Sequence, residues 1–159
     1  MFMDELKELQ RKIAKKLYEL FVVNRNAMAV QLVDGNYVTK YTRITENDVL
    51  RMLAEGKAIG SYQQLYKSPY LKWVCFDFDC KDKDKPKIAK LYTSCTKPLN
   101  NYLDEHGISY VNEFSGRRGI HTWILFSNYV KKEDAYNLIQ SIKKGISWNY
   151  DNTEFGLDE

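Results

Sequence analysis

Apolar residues recur at Leu6, Leu9, Ile13, Leu17, Leu20 and Phe21, the three- and four-residue steps of one helix face. Lys7, Arg11, Lys12, Lys15 and Lys16 take the remaining circumference, which predicts an amphipathic N-terminal helix. Residues 28–33 and 36–43 read as two strands around Asp34-Gly35, a pair that supplies the positive φ angles of a two-residue type I′ turn. Thr45 is the expected N-cap of a short helix, with Asp48 three residues on, an apolar stripe at Val49, Leu50, Met52 and Leu53, and Gly56 as its stop. Residues 71–79, 108–114 and 120–126 are dense in large and β-branched side chains and predict three strands. Between the first two, a helix is expected from Pro86, with Ile88, Leu91, Tyr92, Cys95, Leu99, Tyr102 and Leu103 on one face and Pro98 breaking or kinking it. A last helix over 132–144, carrying Ala135, Leu138, Ile139 and Ile142, ends at Gly145. Together these elements predict an α+β fold, a mostly antiparallel sheet flanked by helices.

Composition narrows the setting. A chain of 159 residues, 44% hydrophobic and 28% charged, has the size of a single compact domain, residues 1–159. It shows no repeat, low-complexity stretch or linker. No run of about 18 apolar residues occurs, and Met1-Phe2-Met3-Asp4-Glu5 lacks the basic start and apolar stretch of a secretion signal. The expectation is a cytoplasmic protein with no membrane partner. Three cysteines (Cys75, Cys80, Cys95) without a C-x-x-C pair, and only two histidines, fit neither a disulfide framework nor a four-ligand zinc site. Reduced thiols in or near a core are expected. The net charge of +3 names no partner, but its distribution is uneven: six lysines and two aspartates lie in 81–97, six acids and two lysines in 133–159. Such a basic stretch can track a phosphate backbone, although charge alone is explained as simply by a solvated loop and helix face.

Candidate chemistry sits in two stretches. In Val74-Cys75-Phe76-Asp77-Phe78-Asp79-Cys80, strand alternation turns Val74, Phe76 and Phe78 one way and both aspartates the other, about 7 Å apart. Two neighbouring carboxylates repel unless a cation sits between them, and a divalent metal is the economical answer. A bare D-x-D is common, and an edge strand meeting lysines explains one equally well. The second stretch is Glu113-Phe114-Ser115-Gly116-Arg117-Arg118-Gly119-Ile120-His121-Thr122-Trp123. Its glycine-flanked turn can offer backbone N–H groups to an anion, and its two guanidiniums suit phosphate oxygens. His121 lies on the face of Trp123, opposite Ile120, Thr122 and Ile124, within reach of a triphosphate held by that loop. Taken singly, a hydrogen-bonded half-buried histidine is the simpler reading; Ser115, Arg117 and the acid pair favour the site. No G-x-x-x-x-G-K-[ST] loop and no G-x-S-x-G elbow occurs, which removes Walker-type nucleotidases and serine hydrolases. His106, in Glu105-His106-Gly107, suits a helix end rather than a site.

The acid pair in F-D-F-D, followed some forty residues on by S-G-R-R-G-I-H, resembles the first two motifs of the archaeo-eukaryotic primase superfamily. The likeness spans about residues 18–145. It is closest to the primase-polymerases of mobile elements and CRISPR-associated operons, whose context Gly60-Ser61-Tyr62 and Thr122-Trp123-Ile124 also resemble. The resemblance implies an RRM-like catalytic core, Mg²⁺ or Mn²⁺ held by Asp77 and Asp79, and His121 at the incoming nucleotide's triphosphate. Ser115, Gly116, Arg117 and Arg118 would join that nucleotide-binding site. The family's third acid, a hydrophobic-Asp element on a later strand, has one candidate in the right order, Leu157-Asp158. Either Asp158 completes the catalytic and metal-binding set, or the chain is a core trimmed from a longer protein, where a C-terminal helical or zinc-binding accessory domain is usual. A terminal strand would turn Phe155 and Leu157 to the core and Glu154, Gly156 and Asp158 to the site.

The implied activity is template-directed nucleotidyl transfer from nucleoside triphosphates to a 3′-hydroxyl, with single-stranded DNA template and primer as partners. Two alternatives stand beside it. One is a nucleotide or single-stranded nucleic-acid binding module without catalysis; the other is a metal-dependent nuclease, for which no water-activating lysine or histidine is visible.

Overall fold

The N-terminal stripe forms α1 (Phe2–Phe21), followed by β1 (Met28–Gln31), β2 (Tyr37–Lys40), α2 (Glu46–Glu55) and β3 (Ile59–Ser61). These come from a computed structural model that describes residues 2–56 and 58–158, the side chain of Phe2 excepted. Glu159, the last acid of the 133–159 stretch, lies outside the described residues. The chain divides into two compact units, Met1–Lys72 and Trp73–Glu159.

In the first unit the strands form an antiparallel sheet in the order β2-β1-β3. Ala14, Val22, Ile44 and Val49 are buried, with Leu17, Tyr18, Met28, Leu53 and Ile59 packed on them, so the stripes of α1 and α2 meet in one core. The first half of the α1 stripe, Leu6, Leu9 and Ile13, is exposed instead. A 20-residue helix runs about 30 Å, twice the length of its 10-residue neighbour, and outreaches it. Thr45 and Asp48 cap α2 as expected: the Thr45 N–H and Oγ1 both donate to Asp48 Oδ2 at 2.8 Å. The expected two-residue turn is replaced by a longer one. Leu32 N–H bonds Asn36 O at 2.7 Å, only Gly35 takes a positive φ (86°), and Asp34 Oδ1 accepts the Asn36 N–H. The aspartate side chain thus makes a turn that removes the need for a second left-handed residue. β3 was not expected, because three residues are too few to display alternation.

The second unit holds most of β4 (Tyr70–Cys80), then α3 (Ile88–Leu91), a π-helical turn (Tyr92–Thr96), α4 (Lys97–Glu105), β5 (Val111–Phe114), β6 (Gly119–Lys131), α5 (Lys132–Gly145) and β7 (Phe155–Asp158). Its sheet order is β5-β6-β4-β7. The α+β class with antiparallel strands holds, the strands being divided between two sheets. Phe76 and Phe78 are fully buried with Leu91, Cys95, Leu99, Leu103, Ile142 and Phe155, and each such phenylalanine contributes about 2–3 kcal/mol of apolar burial. Pro98 does not break the helix. Lys97 N–H bonds Tyr92 O five residues back, and this widened turn carries the chain past a proline that cannot donate. β5 starts at Val111 rather than 108, because Ile108 N–H closes onto Leu103 O at the end of α4. β6 runs five residues past the expected 126, through exposed Ser127, Asn128 and Tyr129 that carry no apolar alternation. His106 caps α4 and stacks on Tyr102, and the three cysteines are free thiols. No helix among the described residues is long and apolar enough to cross a membrane.

Candidate functional site

The alternation in β4 separates two faces. Val74, Phe76, Phe78 and Cys80 are buried on one, while Cys75, Asp77 and Asp79 occupy the other. β7 pairs antiparallel with β4, placing Asp158 opposite Asp77, Leu157 opposite Phe78, Gly156 opposite Asp79 and Phe155 opposite Cys80. Directly opposed residues share a face, so Asp158 stands with Asp77 and Asp79 while Phe155 seals the core side. Three carboxylates therefore share one face of two neighbouring strands.

Their electrostatics are those of an undercompensated cluster. Burial, then the charges of Asp79 and Asp158, push the Asp77 carboxyl above its usual range, against the opposing pull of His121 and Arg118. Asp77 Oδ1 is buried and accepts no hydrogen bond; His121 Nε2 lies 3.4 Å away. Asp79 is held differently. Arg118 Nη2 meets Asp79 Oδ2 at 2.7 Å, and Arg118 Nη1 donates to Cys80 O at 2.9 Å. Burial pushes the Cys75 thiol up to about 12, with Asp77 and Glu113 adding to it, which keeps that neighbour uncharged.

The loop between β5 and β6 closes on itself. Ser115 N–H donates to Gly119 O at 3.0 Å, Gly119 N–H donates to Ser115 Oγ at 2.9 Å, and Gly116 takes φ 91°. A Cβ on Gly119 would stand 2.5 Å from Asp79 Oδ1 and 3.0 Å from Phe78 O, so only glycine lets this loop approach the acid strand. The Ser115 hydroxyl is thus a loop-closing group, Arg118 an ion-pair partner of the acids, and Arg117 is exposed on the loop.

His121 sits between two carboxylates. Its Nδ1 lies 3.1 Å from Glu113 Oε2, the oxygen that also accepts from Trp123 Nε1 at 2.8 Å. The Glu113 hydrogen bond, followed by the charge of Asp77, lifts the imidazole above its ordinary pKa although burial opposes this; the same bond lowers Glu113. Glu113 was missed by sequence reasoning, yet a signal existed. Ser115 and Gly119 bound the loop, and Glu113 and His121 lie two residues outside them, which makes them cross-strand partners, as the register confirms.

Hard carboxylate oxygens and the orphaned Asp77 Oδ1 fit Mg²⁺ or Mn²⁺ by donor type. Among the described residues, however, no three His, Cys, Asp or Glu side chains are gathered closely enough to hold an ion as they stand, and Arg118 engages Asp79. The basic stretch is partly turned inward: Lys87 (2.8 Å) and Lys90 pair with Glu154, and Lys81 Nζ donates to Asn152 O. Those contacts tie down the segment that leads into β7.

The family model for the archaeo-eukaryotic primase domain of the TOTE conflict system matches residues 10–157, across both compact units. No curated protein matches the chain.

Proposed function

Because the chain belongs to the archaeo-eukaryotic primase domain family of the TOTE conflict system, within a superfamily of primase-like nucleotidyltransferases, we propose that it is a DNA-directed primase-polymerase that transfers nucleotides from nucleoside triphosphates to a primer 3′-hydroxyl on a single-stranded template. The observation that carries this reading is the opposition of Asp158 and Asp77 across the β7–β4 ladder, on the face that also bears Asp79 and next to the Ser115–Gly119 loop and His121. Asp77, Asp79 and Asp158 would hold Mg²⁺ or Mn²⁺, which supplies activation of the hydroxyl and neutralisation of the leaving pyrophosphate. Arg118, which pairs with Asp79, would be the guanidinium available to the triphosphate were the acids neutralised by cation. His121 presents Nε2 to the phosphates, and Gly116 and Arg117 add loop amide and guanidinium donors, while Ser115 keeps the loop closed.

A second reading, a module that binds nucleotide or single-stranded nucleic acid without turnover, is favoured by the Arg118–Asp79 ion pair. A gel assay of primer extension on a single-stranded template, with Mn²⁺ or Mg²⁺ and ribo- or deoxyribonucleotides, separates the two. Extended primers are expected; triphosphate binding without extension supports the module, and a shortened primer supports a nuclease.

A further inference from the structure

We propose that Glu154 is a positioning residue that sets the register of β7, and so decides that Asp158 stands opposite Asp77. The apolar alternation of β7 settles which face each residue takes but not how far along β4 it sits. A slip of two residues, about 7 Å, keeps Phe155 and Leu157 on the core side while moving Asp158 opposite Asp79 or Cys75. With four residues at the edge of its sheet, β7 has few contacts of its own to refuse that slip. Glu154 supplies the missing constraint. It stands one residue ahead of β7, where alternation predicts a side chain on the acid face, yet its carboxylate reaches the start of α3. There Oε1 accepts from Lys87 Nζ at 2.8 Å and Oε2 accepts from Lys90 Nζ. Lys90 Nζ also lies 6.0 Å from the centre of the buried Phe155 ring. Backbone bonds hold the same residue: Lys81 N–H donates to Glu154 O at 2.8 Å, and Glu154 N–H and Phe155 N–H both donate to Asp151 O, at 2.9 and 3.0 Å. After a two-residue slip the residue opposite Lys81 would be Asn152 or Gly156, neither of which carries a charge. The two lysines therefore find a carboxylate in one register only.

The bearing on metal rests on Asp158 being a cation ligand, and the test keeps the two claims apart. Amide hydrogen exchange of the full chain reads the strand, and a Mn²⁺ titration by electron paramagnetic resonance reads the acids. Glu154→Ala is expected to lower the protection of the β7 amides that bond β4 and to weaken Mn²⁺ binding, each about three- to tenfold, the range that two partly exposed ion pairs supply. Charge reversal across the contact, Glu154→Lys with Lys87→Glu and Lys90→Glu, should restore both. In an Asp158→Asn background Glu154→Ala should weaken Mn²⁺ binding no further, because the carboxylate it positions is gone. Unchanged protection in Glu154→Ala overturns the proposal. So does an equal loss of Mn²⁺ binding with and without the Asp158 carboxylate, which would mean that Glu154 does not act through it. Lost protection that the charge reversal restores, together with Mn²⁺ binding that Asp158→Asn leaves unchanged, upholds Glu154 as the register residue and removes Asp158 from the metal site.

Discussion

The β1–β2 and β5–β6 hairpins use one turning device to different ends. Both are antiparallel, both place a glycine near φ 90° (Gly35 at 86°, Gly116 at 91°), and both close the loop with a short polar side chain bonded to backbone, Asp34 in one and Ser115 in the other. Their difference lies in what flanks the central strand. β1 runs between β2 and β3, where Met28, Ala29 and Val30 face Lys40, Thr39 and Val38 on one side and Ser61, Gly60 and Ile59 on the other. β6 runs between β5 and β4, which set Glu113 and Asp77 on either side of His121. Sheet order, more than the turn, surrounds the second hairpin's histidine with carboxylates.

The sharpest break between the two comes from their acids. Asp77→Ala, Asp79→Ala or Asp158→Ala should lower nucleotide incorporation by at least ~10²–10³-fold with the circular dichroism spectrum unchanged, whereas Asp34→Ala should leave incorporation as it was. Glycines give the next contrast. Gly119→Ala drives a Cβ against Asp79 and Phe78 O, and is expected to cost about 1–3 kcal/mol in denaturant titration and to reduce incorporation by roughly an order of magnitude or more. Gly35→Ala meets nothing within 4 Å and suffers only from its positive φ, a loss of about 1 kcal/mol without effect on incorporation.

Smaller effects test the polar wiring. Ser115→Ala strands the Gly119 N–H and should cost about 1 kcal/mol. The Glu113–His121 pair should add stability in a bounded pH window. His121 is raised above 6.5, so its contribution is full below that value and fades as pH rises through the folded pKa; Glu113 is lowered below 4.5, so its contribution is full above that value and fades as pH falls through its folded pKa. The melting-temperature difference between wild type and Glu113→Gln should therefore be greatest between about pH 4.5 and 6.5 and shrink on both sides. Asp77→Asn removes a carboxylate that burial and two like charges disfavour. With that side chain 41% exposed the gain is screened, and a rise of roughly 1–3 °C is expected at neutral pH.

Much of the acid face was legible because its signal is local. Phenylalanines at 76 and 78 can only alternate with the aspartates at 77 and 79, and the same period-two rule places Asp158 on the acid side once residues 155–158 form a strand. Less visible were features that depend on sheet order or distant partners. That Arg118 pairs with Asp79 at 2.7 Å is visible only once β6 lies beside β4. Lys87 and Lys90 read as a free basic run until the chain returns with Glu154, 67 and 64 residues later. The π turn before Pro98 keeps a helix where proline alone argues for a break.

The central claim is that the three carboxylates on one face of β4 and β7 form a cation site for nucleotidyl transfer, and a Mn²⁺ titration followed by electron paramagnetic resonance, in the presence of a non-hydrolysable nucleoside triphosphate, tests it most directly. The account predicts that Asp158→Asn weakens Mn²⁺ binding at least ~10-fold relative to wild type, as does Asp77→Asn. Equal binding by wild type and Asp158→Asn would contradict it.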